Sequence, residues 1–259
     1  DIFYIIFLEV IILKTNLFID KISLNRDKIS SFEEYPFNIE IIKNFEELKF
    51  TESVTFFVGE NGTGKSTFIE AIAVAMGLNA EGGTQNFNFV TKNTSSNLSN
   101  YLKISRCNYP ENKFFLRAES FYNFFLYVER LVEEDQYFSL YKYYGGNLHN
   151  CSHGESFIKL VKNRFGDNGL YILDEPEAAL SPERQMSLLC LIDDLVKRGC
   201  QFIIATHSPI LISYYKGVIL DLDNNFKITK YEDTKIYNLY RLYLDNPYGM
   251  QKRLFEGED

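Results

Sequence analysis

Two stretches of the chain place phosphate- and metal-handling residue types at the ends of apolar runs. Gly59-Glu60-Asn61-Gly62-Thr63-Gly64-Lys65-Ser66, followed by Thr67, fits GxxxxGK[ST] in full. Glycines at this spacing let a backbone wrap around phosphate with its N–H groups pointing inward. A helix opening at the end of the loop adds the positive end of its dipole. Lys65 would then reach the β- and γ-phosphates of a nucleotide, and Ser66 would ligate Mg2+. The second stretch, Leu170-Tyr171-Ile172-Leu173-Asp174-Glu175, delivers two carboxylates at the end of a buried strand. Asp174 would hold Mg2+ through water, and Glu175 would activate an attacking water as general base.

The flanking sequence supplies the elements these roles need. Val54–Val58 reads as a buried strand running into Gly59, and Phe68–Met76 as a helix stopped by Gly77. Leu170–Leu173 and Phe202–Ala205 are further short apolar strands. Between them, Ser181-Pro182-Glu183 opens a helix through a capping hydroxyl, a first-position proline and an acid. That helix carries Leu188, Leu189, Ile192 and Leu195 to a stop at Lys197-Arg198-Gly199. Ser120 caps a predicted helix with Phe121, Phe124, Phe125, Val128, Leu131 and Val132 on one face, and Phe157, Leu160, Val161 and Phe165 form another stripe. Phe18–Leu24 alternates as a strand. Leu102–Cys107 and Lys113–Ala118 are expected to pair as a hairpin, as are Val218–Leu222 and Phe226–Thr229. Asn79–Asn100 reads as an exposed loop, and the tail from Glu232 as helical. Alternating buried strands and amphipathic helices predict an α/β fold with a mostly parallel central sheet, an antiparallel lobe and a helical subdomain.

The 259 residues, 46% hydrophobic, are enough to bury a large core and exclude a disordered chain. A formal charge of -8 argues against coating nucleic acid by bulk charge. Cys107, Cys151, Cys190 and Cys200 form no CxxC pair, which speaks against a zinc ribbon or hook and suits a reducing cytosol. Residues 2–13 are apolar apart from Glu9. They are shorter than the roughly 20 residues of a membrane span and lack a basic leader, so they read as a strand or extension. The expected organisation is one domain over 1–259, with an N-terminal extension at 1–16, a helical subdomain at 120–166 and a helical tail at 232–259.

These residues resemble an ABC-type ATPase. The phosphate loop, Ser152-His153-Gly154-Glu155, Asp174-Glu175-Pro176 and Ala205-Thr206-His207-Ser208-Pro209 stand in that family's order and span most of the chain. The resemblance implies two cores closing head to tail over two ATP molecules and Mg2+. Ser152, Gly154 and Glu155 of one copy would then cap the γ-phosphate held by the other. His207 takes the position of the family's switch histidine, bonding the γ-phosphate or the attacking water. His153 replaces the family's usual glycine, as an extra phosphate donor or a tolerated surface change. Ala178-Ala179-Leu180-Ser181 aligns with the family's D-loop, with Ser181 in place of aspartate. Gln85 and the pair Glu119-Ser120 are both candidates for its glutamine loop. Tyr35 and Phe37 precede the phosphate loop at the distance of its adenine-stacking aromatic, or serve the core. His149 is read as a loop residue.

Within the family, the runs around Asp174 and His207 are similar to the soluble RecF, SMC and OLD-like group, including small free-standing bacterial predicted ATPases. The short span between Ser66 and Cys151 holds no sustained heptads, so the chain reads as a head without a coiled coil. That resemblance implies a cytoplasmic, ATP-dependent homodimer in DNA repair or anti-phage defence, working with an effector such as a nuclease, or with DNA. No membrane insertion is expected. Lys159, Lys162 and Arg164 are the candidates for DNA contact in a closed dimer. A transporter's nucleotide-binding subunit, a non-catalytic ATP-binding scaffold and a small kinase are the competing readings.

Overall fold

The computed structural model describes residues 17–83, 96–121 and 152–257. The strands are β1 (Ile19–Leu24), β2 (Glu47–Lys49), β3 (Val54–Val58), β4 (Leu102–Arg106), β5 (Asn112–Arg117), β6 (Gly169–Asp174), β7 (Gln201–Ala205), β8 (Val218–Asp221) and β9 (Lys227–Thr229). The helices are α1 (Glu40–Lys43), α2 (Lys65–Ala75), α3 (His153–Arg164), α4 (Pro182–Lys197), α5 (Lys235–Asp245) and α6 (Pro247–Glu256).

A six-stranded sheet runs in the order β5-β6-β7-β3-β8-β9, with every pairing parallel except β8 to β9. A separate antiparallel sheet, β2-β1-β4, forms the lobe the sequence predicts. The predicted hairpin between the runs near 102 and 113 does not form. β4 pairs with β1 and β5 with β6, so the turn residues between them carry the chain from one sheet to the other. Burial separates the two strands: Lys103, Ser105 and Arg106 of β4 are exposed, whereas Phe114, Phe115 and Leu116 of β5 are buried, although each strand lies at the edge of its sheet. The hairpin β8–β9 forms as predicted, turning through Asn225 and Phe226 at positive φ.

Side-chain alternation splits the core between the two faces of the large sheet. Val54, Phe56 and Val58 of β3 join Phe157, Leu160 and Val161 of α3 and Leu188, Ile192 and Leu195 of α4. Phe57 points the other way, to Phe68, Ile69 and Ile72 of α2 and Ile19 and Ile22 of β1. The lobe is pinned by one polar side chain. Gln201, fully buried, accepts from the N–H groups of Phe18 and Ile19 at 2.8 and 3.0 Å and donates to Ile19 O at 2.9 Å.

The predicted helix ends hold. Gly77 and Gly199 lie at φ +74° and +80°, and the chain turns back through Leu78 N to Ala73 O and Cys200 N to Leu195 O. Ser181 precedes α4, but its hydroxyl makes no capping bond. Its carbonyl instead accepts from Arg184 and Gln185 N–H, and Pro182 sets the first helical φ. The tail is helical, as expected. No residue of α5 or α6 is buried, and Leu239, Leu244, Tyr248, Leu254 and Phe255 are exposed. The 1–16 extension, Gln85, His149, Cys151 and the helix predicted beyond Phe121 lie outside the described residues. Among the described residues no helix is long and apolar enough to cross a membrane.

Candidate active site

Strand register builds the site. Arg117 pairs with Asp174, Asp174 with Ala205, Ala205 with Phe57, and Phe57 with Leu220. One row therefore crosses the sheet at the carboxyl ends of five strands, the edge where open α/β sheets bind ligands. The loops leaving that row carry Glu175, His207, Gly59–Ser66 and Asp223.

Gly59–Gly64 turns tightly between β3 and α2, with Gly62 and Gly64 at φ +81° and +101°. A Cβ on Gly64 would meet Ile39 Cγ2 at 2.7 Å, so that position requires glycine on both counts. Lys65 is buried, and its Nζ donates to Gly59 O at 2.9 Å and Glu60 O at 2.7 Å. Burial lowers its pKa, while Glu175, Asp223 and Asp174 pull it back up.

Ser66 Oγ donates to Asp174 Oδ1 at 3.2 Å, joining the phosphate loop to β6. A hydroxyl and a carboxylate at this separation are the hard oxygen donors that suit Mg2+. Among the described residues no group of three His, Cys, Asp or Glu side chains forms a metal site. Ser66 and Asp174 would thus share the ion with phosphate and water. Asp174 is almost wholly buried, and burial raises its pKa to about 6 despite the guanidinium of Arg117, whose Nε lies 3.4 Å from Oδ2. Arg117 also meets Glu70 at 2.9 Å and Glu119 at 3.7 Å.

Glu175 leaves β6 in the left-handed conformation at φ +50°, a strained position for a non-glycine residue. Its N–H is held by Ala205 O at 2.9 Å, and its Oε1 lies 3.8 Å from His207 Nε2. That Nε2 is buried and makes no hydrogen bond among the described residues. Burial first, then Lys65, lowers the His207 pKa and favours neutral imidazole. Glu177 fixes the loop behind it, accepting from Thr206 Oγ1 at 2.7 Å and His207 N–H at 2.5 Å.

Ser152 and Glu155 form a capping box at the start of α3, with Ser152 N–H donating to Glu155 Oε2 at 2.8 Å and Glu155 N–H to Ser152 Oγ at 3.4 Å. Glu155 also pairs with Arg184 at 3.0 Å. A Cβ on Gly154 would meet Arg184 Cδ at 2.8 Å and Ala179 O at 3.0 Å, so this turn packs against the Ala178–Ser181 segment of its own chain. His153 opens α3; its side chain lies outside what is described. Tyr35 is exposed, its hydroxyl 3.4 Å from Thr67 Oγ1, whereas Phe37 is buried against Tyr101. Ser120 is buried and donates to Glu81 O, while Glu119 is exposed. On α3, Lys162 is exposed and Arg164 lies over the Phe114 ring.

Sequence reasoning missed Arg117, Glu177 and Asp223. A lone arginine at the tip of a buried run was a usable signal for the first. Nothing local marks Asp223.

Two family models match, one described as "AAA domain" over residues 29–142 and one as "AAA domain, putative AbiEii toxin, Type IV TA system" over 157–213. The first contains the phosphate loop, the second Asp174, Glu175 and His207. Both matches are to AAA-type ATPase domains, and between them they take in the phosphate loop and the strand ends that face it. Nucleotide binding and hydrolysis are the activities such ATPase domains point to. No curated protein matches the chain. Two solved structures resemble the ATPase domain at a distance. One, titled "An inward-facing conformation of a putative metal-chelate type ABC transporter", is 16% identical with a TM-score of 0.43, over 73% of this chain and 76% of that one. The other is an SMC head domain from Thermotoga maritima, 15% identical with a TM-score of 0.43, over 79% and 94%.

Proposed function

We propose that the protein is a Mg2+-dependent ATPase head that closes in pairs around ATP. One observation carries this reading: the phosphate loop, the Ser66–Asp174 pair and the Glu175–His207 pair stand along one row of strand ends. Gly59 to Thr67 would cradle the phosphates, with Lys65 leaving the Gly59 and Glu60 carbonyls for phosphate oxygens. Ser66 and Asp174 would hold Mg2+, which supplies charge neutralisation at the phosphates. Glu175 would accept the proton of the attacking water, and neutral His207 would donate its unpaired Nε2–H toward the γ-phosphate. Ser152, Gly154 and Glu155 would meet the partner's phosphate, with the α3 N-terminus lending its positive end. Exposure of Ser152 and Glu155 supports that role.

The conformational readout would be a cytoplasmic switch in DNA repair or anti-phage defence that acts on an effector such as a nuclease, or on DNA. The toxin–antitoxin description of the second family model supports an effector partner. The test is Glu175→Gln, which keeps the site's shape and removes the base. With saturating MgATP it should lose phosphate release and run as a dimer in size-exclusion with light scattering. A monomer under those conditions refutes the paired closure.

A further inference from the structure

Asp223 lies in the β8–β9 turn, far in sequence from the phosphate loop, yet its carboxylate holds that loop's shoulder. Glu60 N–H donates to both oxygens, at 3.0 and 3.2 Å, and Thr63 Oγ1 donates to Oδ1 at 2.8 Å. The approach is close enough that a Cβ on Gly59 would stand 3.0 Å from the same Oδ1. The other side of the Glu60 peptide is held as well: its carbonyl accepts from Lys65 Nζ at 2.7 Å and lies 2.7 Å from Thr63 Oγ1, whose single proton it shares with Asp223 Oδ1.

The two halves of that grip differ in kind. Lys65 is the group that would leave its carbonyls when a triphosphate arrives. Once it leaves, the Glu60 carbonyl and Asp223 share the one Thr63 hydroxyl proton, and among the described residues Asp223 still holds the Glu60 N–H. We infer that Asp223 is a positioning residue that keeps the phosphate loop in its anion-binding shape while Lys65 changes partners. The inference rests on the nucleotide-binding reading above. It carries a cost that makes it testable: a carboxylate beside a triphosphate repels it, so clamp and charge act in opposite directions.

Two variants separate them. Asp223→Asn keeps an oxygen acceptor for Glu60 N–H and Thr63 Oγ1 and removes the charge. Asp223→Ala removes both. A clamp predicts that Ala weakens MgATP binding and raises KM roughly tenfold, the size of one charge-assisted hydrogen bond, with kcat within about threefold. Asn should bind at least as well as the native protein. A charge-only role predicts the opposite, with Ala binding more tightly than native, and that result overturns the inference. So does an Ala variant with native KM. Hydrogen exchange on the nucleotide-free proteins supplies a readout independent of ATP. The Glu60 amide should exchange at least about tenfold faster in Asp223→Ala than in Asp223→Asn, and equal rates refute the clamp. If the native protein binds no MgATP, the nucleotide reading fails, and hydrogen exchange alone still judges the clamp.

Discussion

Asp174 should make the nucleotide-free protein less stable than it would be without that charge. Burial lifts its carboxyl from 3.8 to about 6, against the pull of Arg117. The native state thus holds the proton more tightly than the unfolded chain between those values. Stability falls as pH rises through that window, and the whole cost is present above about pH 6. Roughly two pKa units at about 1.4 kcal/mol each give about 3 kcal/mol as a ceiling. Asp174→Asn removes the ionisation and strands no buried cation, because Arg117 retains Glu70 at 2.9 Å. At pH 8 the variant should melt higher by up to about 6–12 °C, at the 2–4 °C per kcal/mol expected for a chain near this size. Near pH 4 the gain should vanish. The assay is thermal unfolding across pH 4–8 without nucleotide, paired with phosphate release, which the variant should lose. Saturating MgATP should narrow the gap by stabilising only the native protein. A variant melting at or below native at pH 8, or a gap unchanged at pH 4, refutes the reasoning.

Two further substitutions probe the frame around the site. Gln201→Leu leaves the Phe18 and Ile19 N–H groups and the Ile19 carbonyl without their buried partner, and at about 1–3 kcal/mol per stranded group it should cost roughly 3–9 kcal/mol in urea unfolding; a change below about 1 kcal/mol contradicts the pinning role. Gly154→Ala forces a Cβ against Ala179 O and Arg184 Cδ, and should abolish the ATP-driven dimer in light scattering while leaving the monomer's affinity for a fluorescent ATP analogue within about threefold; an intact dimer removes this turn from the interface.

Much of this site was legible because its signals are local. Buried runs ending in Gly59 and Asp174, and glycines closing α2 and α4, each combine strand or helix preference with a fixed punctuating residue. The β4–β5 error came from treating sequence neighbours as partners. Turn residues between two strand-like runs cannot say whether the chain doubles back or changes sheet. The contiguous Phe114-Phe115-Leu116 run, buried on both faces, was the better guide, since it fits a covered parallel sheet. Gln201 and Asp223 were illegible for another reason. Their partners, Ile19 and Glu60, lie more than half the chain away, and a polar residue at a strand end reads the same whether it meets water or backbone. Ser181 shows the reverse, a strong local signature whose hydroxyl makes no capping bond, while Pro182 still starts the helix.

Charge at the row of strand ends constrains what can bind there. Among the described residues, Asp174, Glu175, Glu177 and Asp223 lie near Lys65, Arg117 and Lys235, and all three cations are engaged, Lys235 by Glu60 at 2.8 Å. Lys65 is held by two carbonyls, and Arg117 is divided among Asp174, Glu70 and Glu119. Bare triphosphate would add more negative charge to a site already rich in it, with cations that are already paired to answer. In the proposed site a divalent cation would change the sum, since Asp174, whose carboxyl keeps its proton below about pH 6, would face it. Metal and proton would then compete for the same carboxylate. The proposed site should favour MgATP over ATP because its own fixed charges leave the metal to balance the phosphates.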